Sequence, residues 1–252
     1  MHKPIAINEY LPLPKFEEKG VSVHLKREDL IFPLASGNKW RKLKYNFKAL
    51  TASSAKGILT FGGAYSNHLA AAAALAAQEQ IPIVGIVRGE ELANNPLNPT
   101  LSQCKANGMQ LVFVTRAEYK LKALGETASQ LVAAKNLVVL PDGGTNKLAV
   151  KGCMEILTND DLRFDVIGCA VGTGGTLAGL AASAAAHQKV VGFQMVDDAT
   201  IPDRIRTFVA RDNWELIRHS SYSGYANADK RLVAFANELY KKTGVLLDPI
   251  YT

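Results

Sequence analysis

Cysteine is scarce in this 252-residue chain, with Cys104, Cys153 and Cys169 alone. An odd number without a C-x-x-C pair argues against a disulfide framework and a zinc site, and for a reducing compartment such as the cytoplasm. The five histidines are spaced too widely to form a metal motif, and no metal is expected. The opening MHKPIAINEYLPLP lacks the charged-then-apolar order of a signal peptide. No internal repeat or low-complexity linker interrupts the chain, and a hydrophobic content of 48% sets disorder aside. One run, Val166 to Gln188, has no formally charged residue and is long enough to cross a bilayer. It is mostly Ala, Gly, Ser and Thr and carries GTGGT in its first half, so a buried strand, a loop and a helix account for it better.

Positive charge is present but barely concentrated. The net charge is +6 and the isoelectric point about 9.1, yet the basic residues are mostly scattered singly among acidic ones. The exception is ASGNKWRKLKYNFKAL (35–50), where Lys39, Arg41, Lys42, Lys44 and Lys48 fall within ten positions. A face for nucleic acid would have to be free and make several phosphate contacts. Here Trp40, Leu43, Phe47 and Leu50 recur at helical spacing and bury one side. Neither nucleic acid nor a membrane is expected as a partner.

Short β-branched runs recur at 57–61, 83–87, 111–114, 137–140, 166–170 and 190–194, separated by helix-like segments near 66–79, 97–107, 118–135, 146–158 and 176–187. The alternation predicts an α/β protein whose parallel, buried strands form one sheet or two. Four turns concentrate small polar residues: SGNK (36–39), FGGAYSNH (61–68), PDGGTNK (141–147) and VGTGGT (171–176). In an open α/β sheet ligands lie beyond the carboxyl ends of the strands, where the last three turns fall.

Gly172, Thr173, Gly174, Gly175 and Thr176 follow a strand and open a helix, so backbone N–H groups can converge on an anion. The pattern is neither the dinucleotide fingerprint nor a Walker loop, which leaves a phosphate monoester or a simple flexible turn. In GGAYSNHLA, Ser66 or Asn67 caps the following Ala-rich helix, or turns its side chain into a ligand crevice. His68 is either a titrating group or a packed or exposed histidine. In the basic stretch Lys39 lies roughly 60° from the centre of the apolar stripe, Lys44 about 80°, and Arg41, Lys42 and Lys48 about 120° or more. Lys39 is therefore the lysine expected nearest the interior, at a helix N-terminus. Desolvation and the macrodipole both favour its neutral, nucleophilic form there. Arg41, Lys44 and Lys48 are expected on a solvated face, with Lys42 a further helper. An imine-forming lysine, a phosphate turn without nucleotide signatures and a Ser-Asn turn together suggest pyridoxal 5′-phosphate.

VHLKREDL (23–30), SGNKWRKL (36–43), GGAYSNH (62–68), DGGTN (142–146), GTGGTLAG (172–179), SGYAN (223–227) and LLDPIYT (246–252) resemble the 1-aminocyclopropane-1-carboxylate deaminase and D-cysteine desulfhydrase family, pyridoxal-phosphate enzymes of the tryptophan-synthase-β fold type (fold type II). The resemblance runs in order from about residue 21 to the last residue. It implies two domains, a smaller α/β domain of residues 42–144 against a larger, cofactor-binding one of residues 1–41 plus 145–252. It implies that Lys39 forms the Schiff base, that Asn67 bonds the ring hydroxyl, and that Ser66 stands beside the substrate as acid/base or carboxylate contact. Gly172, Thr173, Gly174, Gly175 and Thr176 would hold the phosphate, Tyr225 and Tyr251 match active-site tyrosines, and Thr252 faces the pyridine nitrogen. A homodimer acting on a small amino acid is expected.

Within that family, Thr at position 252 and His at 68 match the desulfhydrases, where the deaminases carry Glu and Gln. A hydroxyl stabilises a carbanion less than a carboxylate does, which suffices for loss of thiolate. The expected activity is α,β-elimination of D-cysteine or a similar β-substituted amino acid to pyruvate, ammonia and sulfide. The alternatives are opening of the cyclopropane amino acid to 2-oxobutanoate and ammonia, or cofactor binding without turnover. Family chains continue past DPIYT through a further helix and a Gly-rich turn; this chain stops at Thr252, so a truncated C-terminus is expected, whether as a fragment, as a natural truncation or with a cleft that a partner finishes.

Overall fold

The computed structural model describes residues 6–32, 35, 37–218 and 229–248. An antiparallel pair opens it: β1 (Asn8–Leu11) lies against β2 (Val23–Lys26), Asn8 opposite Lys26 and Leu11 opposite Val23, with the one-turn helix α1 (Pro14–Glu17) between them. Helix α2 (Asn38–Thr51) then starts directly after Gly37, whose φ of +68° is a conformation glycine adopts without strain.

The six apolar runs divide between two separate sheets. Four of them form β3 (Gly57–Gly62), β4 (Ile83–Arg88), β5 (Gln110–Val114) and β6 (Leu137–Val139), all parallel in the order β5-β4-β3-β6. Leu59 is flanked by Val84 on one side and Val139 on the other. Alternate residues face opposite cores. Ile58, Ile83 and Val87 meet Trp40, Leu43 and Phe47 of α2, together with α3 (Asn67–Gln78) and α4 (Pro99–Ala106). Leu59, Phe61 and Ile86 meet Tyr119 of α5 (Arg116–Leu121) and Ala128 of α6 (Glu126–Lys135) on the other face. The single helix expected over 118–135 is thus two, broken where Lys122 takes a φ of +52° before Gly125.

The second sheet is β7 (Val166–Val171), β8 (Lys189–Gln194) and β9 (Trp214–Arg218), parallel and in that order. Val171 and Val190 pack with Cys153 of α7 (Lys147–Cys153), Leu177 of α8 (Gly175–Ser183) and Ile205 of α9 (Ile201–Arg206). Helix α10 (Lys230–Thr243) completes the described part. The uncharged run from Val166 is therefore β7, a turn and α8, and among the described residues no helix is long and apolar enough to cross a membrane.

Helices α2 and α7 join the two halves at close range. A Cβ on Gly152 would stand 1.8 Å from the carbonyl oxygen of Arg41, so only glycine permits this approach. The approach overturns the expected solvated face. Arg41 is 1% exposed, and its Nε and Nη2 each donate to the Glu28 carboxylate at 2.9 Å. Lys44 pairs with Glu155 and stands 5.0 Å and 4.7 Å from the ring centres of Trp40 and Tyr45. Of the three, Lys48 is exposed as expected. The helical wheel located the apolar stripe correctly, but a second partner helix covers the flank beside it.

Candidate active site

Strand order in the first sheet reverses at β3: β4 and β5 lie to one side of it and β6 to the other. The connections leaving β3 and β6 start from neighbouring carboxyl ends, where a Cβ on Gly144 would stand 3.0 Å from the His68 ring, and this edge is the usual place for a ligand. These connections are FGGAYSNH and PDGGTNK. A hollow of about 300 Å³ at the opposite edge, lined by Lys56, Pro82, Gln110 and Lys135 among others, contains none of the candidate residues.

After β3, Ser66 caps α3: its Oγ accepts from the Leu69 N–H at 3.2 Å, and among the described residues its hydroxyl hydrogen has no acceptor and is left to donate. Gly62 makes room for it, since a Cβ there would lie 2.6 Å from that oxygen. Asn67 begins the helix, and its Nδ2 donates to the carboxylate of Asp248. His68 is 2% exposed, with Nε2 2.7 Å from the Thr60 hydroxyl. Thr60 itself donates to the Leu140 carbonyl at 2.9 Å, so its oxygen must accept, and Nε2 carries the imidazole proton. Burial, then the nearby Lys42 and Lys39, hold the His68 pKa well below its ordinary value. His68 is thus a packed, neutral histidine, and its buried Nδ1 has no hydrogen-bond partner among the described residues.

After β6, Gly143 and Gly144 take φ of +61° and +67°, and this curl turns the Gly143 carbonyl toward Lys42. The Lys42 amine donates there, to Thr145 Oγ1 at 2.8 Å and to Thr173 Oγ1 at 3.3 Å. Lys42 is 2% exposed, whereas Lys39 is half-buried; the lysine expected nearest the interior is thus the less buried of the two. Lys42 goes deeper because α7 and the β6 turn close over a side that helical spacing marks as outer. Burial, followed by the Lys39 ammonium, lowers the Lys42 pKa to about 7. Burial lowers that of Lys39 also, against the opposing influence of Cys153 and Asp248. Lys39 Nζ donates to its neighbour Asn38 Oδ1 at 2.8 Å, and Asn38 Nδ2 donates to Thr176 Oγ1 at 2.6 Å.

The turn after β7 completes the arrangement. Gly174, at φ +88°, leads into α8, whose first N–H groups have no partner within the helix. A Cβ at Gly175 would come 3.0 Å from Thr145 and 3.3 Å from Cε of Lys42, so the glycine lets the helix terminus seat beside the buried amine. Free N–H groups, the threonine hydroxyls and the Lys42 amine make a cradle suited to a phosphate, next to a second amine of lowered basicity able to attach to a carbonyl. A molecule carrying both a phosphate and an aldehyde fits that donor set.

The described residues bring together Lys39, Ser66, Asn67 and the turn Gly172 to Thr176. Tyr225, Tyr251 and Thr252, together with Ser36, lie outside the described residues. Asn38, Thr60, Thr145 and Asp248 carry no assignment from the sequence, although each except Thr60 stands inside or beside a quoted motif. Their partners lie up to 181 residues away, and a single sequence carries no signal for such contacts.

A profile described as pyridoxal-phosphate dependent enzyme matches residues 3–252. The chain is 29% identical over 260 residues to a Thermotoga maritima protein named putative 1-aminocyclopropane-1-carboxylate deaminase, covering 94% of this chain and 82% of that one. It is 29% identical over 285 residues to a bifunctional D-cysteine desulfhydrase/1-aminocyclopropane-1-carboxylate deaminase, mitochondrial, of Arabidopsis thaliana, covering 100% and 69%. With the D-cysteine desulfhydrase of Klebsiella pneumoniae it shares 27% over 278 residues, covering 97% and 81%. A solved structure of an ACC deaminase homologue superposes with a TM-score of 0.86 at 24% identity, covering 98% of this chain and 81% of that one. Maize serine racemase superposes at 0.70 and 16%, covering 98% and 78%. At these identities the structures share the fold.

Proposed function

Since the chain belongs to the family of pyridoxal-phosphate dependent enzymes and takes pyridoxal phosphate as its cofactor, we propose that it is a lyase for D-cysteine or a similar β-substituted amino acid. With water, D-cysteine would give pyruvate, ammonia and sulfide. The observation that carries the reading is the pair of desolvated amines at the Gly-Thr turn, Lys42 hydrogen-bonded to Thr145 and Thr173 and Lys39 joined to Thr176 through Asn38. The desulfhydrases of Arabidopsis and Klebsiella among the relatives support the substrate.

When bound, the cofactor supplies the electron sink that lets an α-proton and a β-substituent leave. Lys39 would hold it through Nζ and, once released, accept the α-proton at the same atom, a task that the lowered basicity of the amine suits. Gly172 to Thr176 and Lys42 would hold the phosphate. Asn67 would face the ring hydroxyl. Ser66, its hydroxyl hydrogen uncommitted, would donate to the substrate carboxylate or serve as acid/base. By resemblance Tyr225 and Tyr251 line the substrate and Thr252 faces the pyridine nitrogen. The proposal extends to a division into residues 42–144 and 1–41 plus 145–252, which the two separate sheets support, and to a cytoplasmic homodimer.

A second reading, opening of 1-aminocyclopropane-1-carboxylate to 2-oxobutanoate and ammonia, is favoured by the name of the Thermotoga relative. A panel of D-cysteine, L-cysteine, D-serine and the cyclopropane amino acid, scored for keto acid and sulfide, separates the two. Sulfide and pyruvate from D-cysteine are expected; 2-oxobutanoate alone would favour the second reading, and no keto acid from any substrate would refute both. Borohydride reduction of the loaded protein should fix the cofactor to the peptide carrying Lys39, and Lys39→Ala should lose both the label and turnover. A label retained on that variant sinks the lysine assignment.

A further inference from the structure

Asn67 and Asp248 stand 181 residues apart in the chain and meet through one hydrogen bond, Asn67 Nδ2 donating to Asp248 Oδ2. Asn67 opens α3 beside the first sheet, while Asp248 follows α10 near the other end of the chain. A carboxylate has only acceptors to offer, so the amide nitrogen must face it and the amide oxygen must face away. Without such a partner the two ends of an asparagine amide are nearly alike in size and can exchange places. Asn67 makes no other side-chain hydrogen bond among the described residues, so its second N–H and its Oδ1 remain available to a ligand in the crevice.

We propose that Asp248 is a positioning residue for the cofactor ring: its carboxylate locks the Asn67 amide so that one N–H is held and the other is presented to the ring hydroxyl oxygen. The inference rests on the reading of Asn67 as the ring-hydroxyl partner, and in this role Asp248 acts through Asn67 rather than on the reacting atoms. An amide held in one orientation before the ligand arrives loses less freedom on binding, which is why a supporting partner counts toward affinity.

The test is a double-mutant cycle on the full chain, stripped of cofactor and titrated with pyridoxal phosphate, with affinity read from the cofactor's absorbance and folding checked by thermal melting. Asp248→Ala should weaken binding about tenfold. Asp248→Asn, whose Oδ1 still accepts, should recover most of that loss. In an Asn67→Ala background the effect of Asp248→Ala should shrink to a small remainder, because the amide it orients is gone and its influence on Lys39 is what stays. Asp248→Leu, which keeps bulk and removes the acceptor, stands in if the alanine variant does not fold. Wild-type affinity in Asp248→Ala, or a full Asp248 effect that persists in the Asn67→Ala background, overturns the proposal. Unchanged affinity in Asn67→Ala alone instead overturns the reading of Asn67 beneath it.

Discussion

Among the described residues Lys42 has three oxygens around its amine and no carboxylate hydrogen-bonded to it. Those oxygens suit an ammonium, while burial and Lys39 oppose the charge, and the balance at about 7 leaves the group poised near neutrality. An unfolded lysine titrates near 10.4. Between about pH 7 and pH 10 the unfolded chain therefore binds a proton that the folded one does not, and stability rises with pH across that window. Lys39, shifted in the same direction, adds to the slope. In urea denaturation of the cofactor-free protein, Lys42→Met should flatten the rise by up to about 1.4 kcal/mol per pH unit. An identical slope in the variant would show that the amine is not desolvated. Lys39 could be singled out from the sequence because its place at a helix N-terminus is local information. The burial of Lys42 could not, since the groups that enclose it come from Gly143, Thr145 and Thr173, 101 to 131 positions further along.

Among the elements, the six strands read from β-branched runs all form within a residue or so of their expected bounds; β3 and β4 are buried on both faces, as an unbroken apolar run predicts, whereas β7 and β8 leave Val166 and Phe193 exposed. The first pair is harder to read. NEYL and VHLK are half-polar and partly exposed, and their pairing joins residues up to 18 apart. WELIR in β9 is an edge strand with the same ambiguity. Helix α2 was legible as a helix, but its second buried flank was not, because α7 contributes that surface. Gly152 sets α7 directly against the backbone of α2. Gly152→Ala would place a methyl group 1.8 Å from the Arg41 carbonyl, and it should cost about 3 kcal/mol by forcing the helices apart. Chemical denaturation measures the loss; a variant as stable as wild type would mean that the helices part freely.

Across the whole molecule, the fold class followed from the alternation of strand and helix, and the grouping of motifs at the carboxyl edges followed from a general rule about open sheets. Whether six strands made one sheet or two was not decidable, because strand order is set by packing between distant segments. The reversal at β3, which puts the Ser66–Asn67 turn and the Gly143–Gly144 turn side by side, belongs to the same category. On the proposed assignment pyridoxal phosphate would bind groups drawn from several of these distant segments, so it should stabilise the folded chain as a unit. At a hundredfold excess over its dissociation constant the gain should be about 2.7 kcal/mol, read as a higher melting temperature that pyridoxal without phosphate does not match. Equal shifts from the two compounds would remove the phosphate cradle from the account.

Two desolvated amines, the buried Lys42 and the half-buried Lys39, also bear on the life of the protein in a cell. Their mutual repulsion is a standing cost to the unloaded chain, which a phosphate bound there would offset. Newly made chains in a cell starved of vitamin B6 would spend more time open to proteases, so the amount of this protein should track the vitamin supply even at constant synthesis.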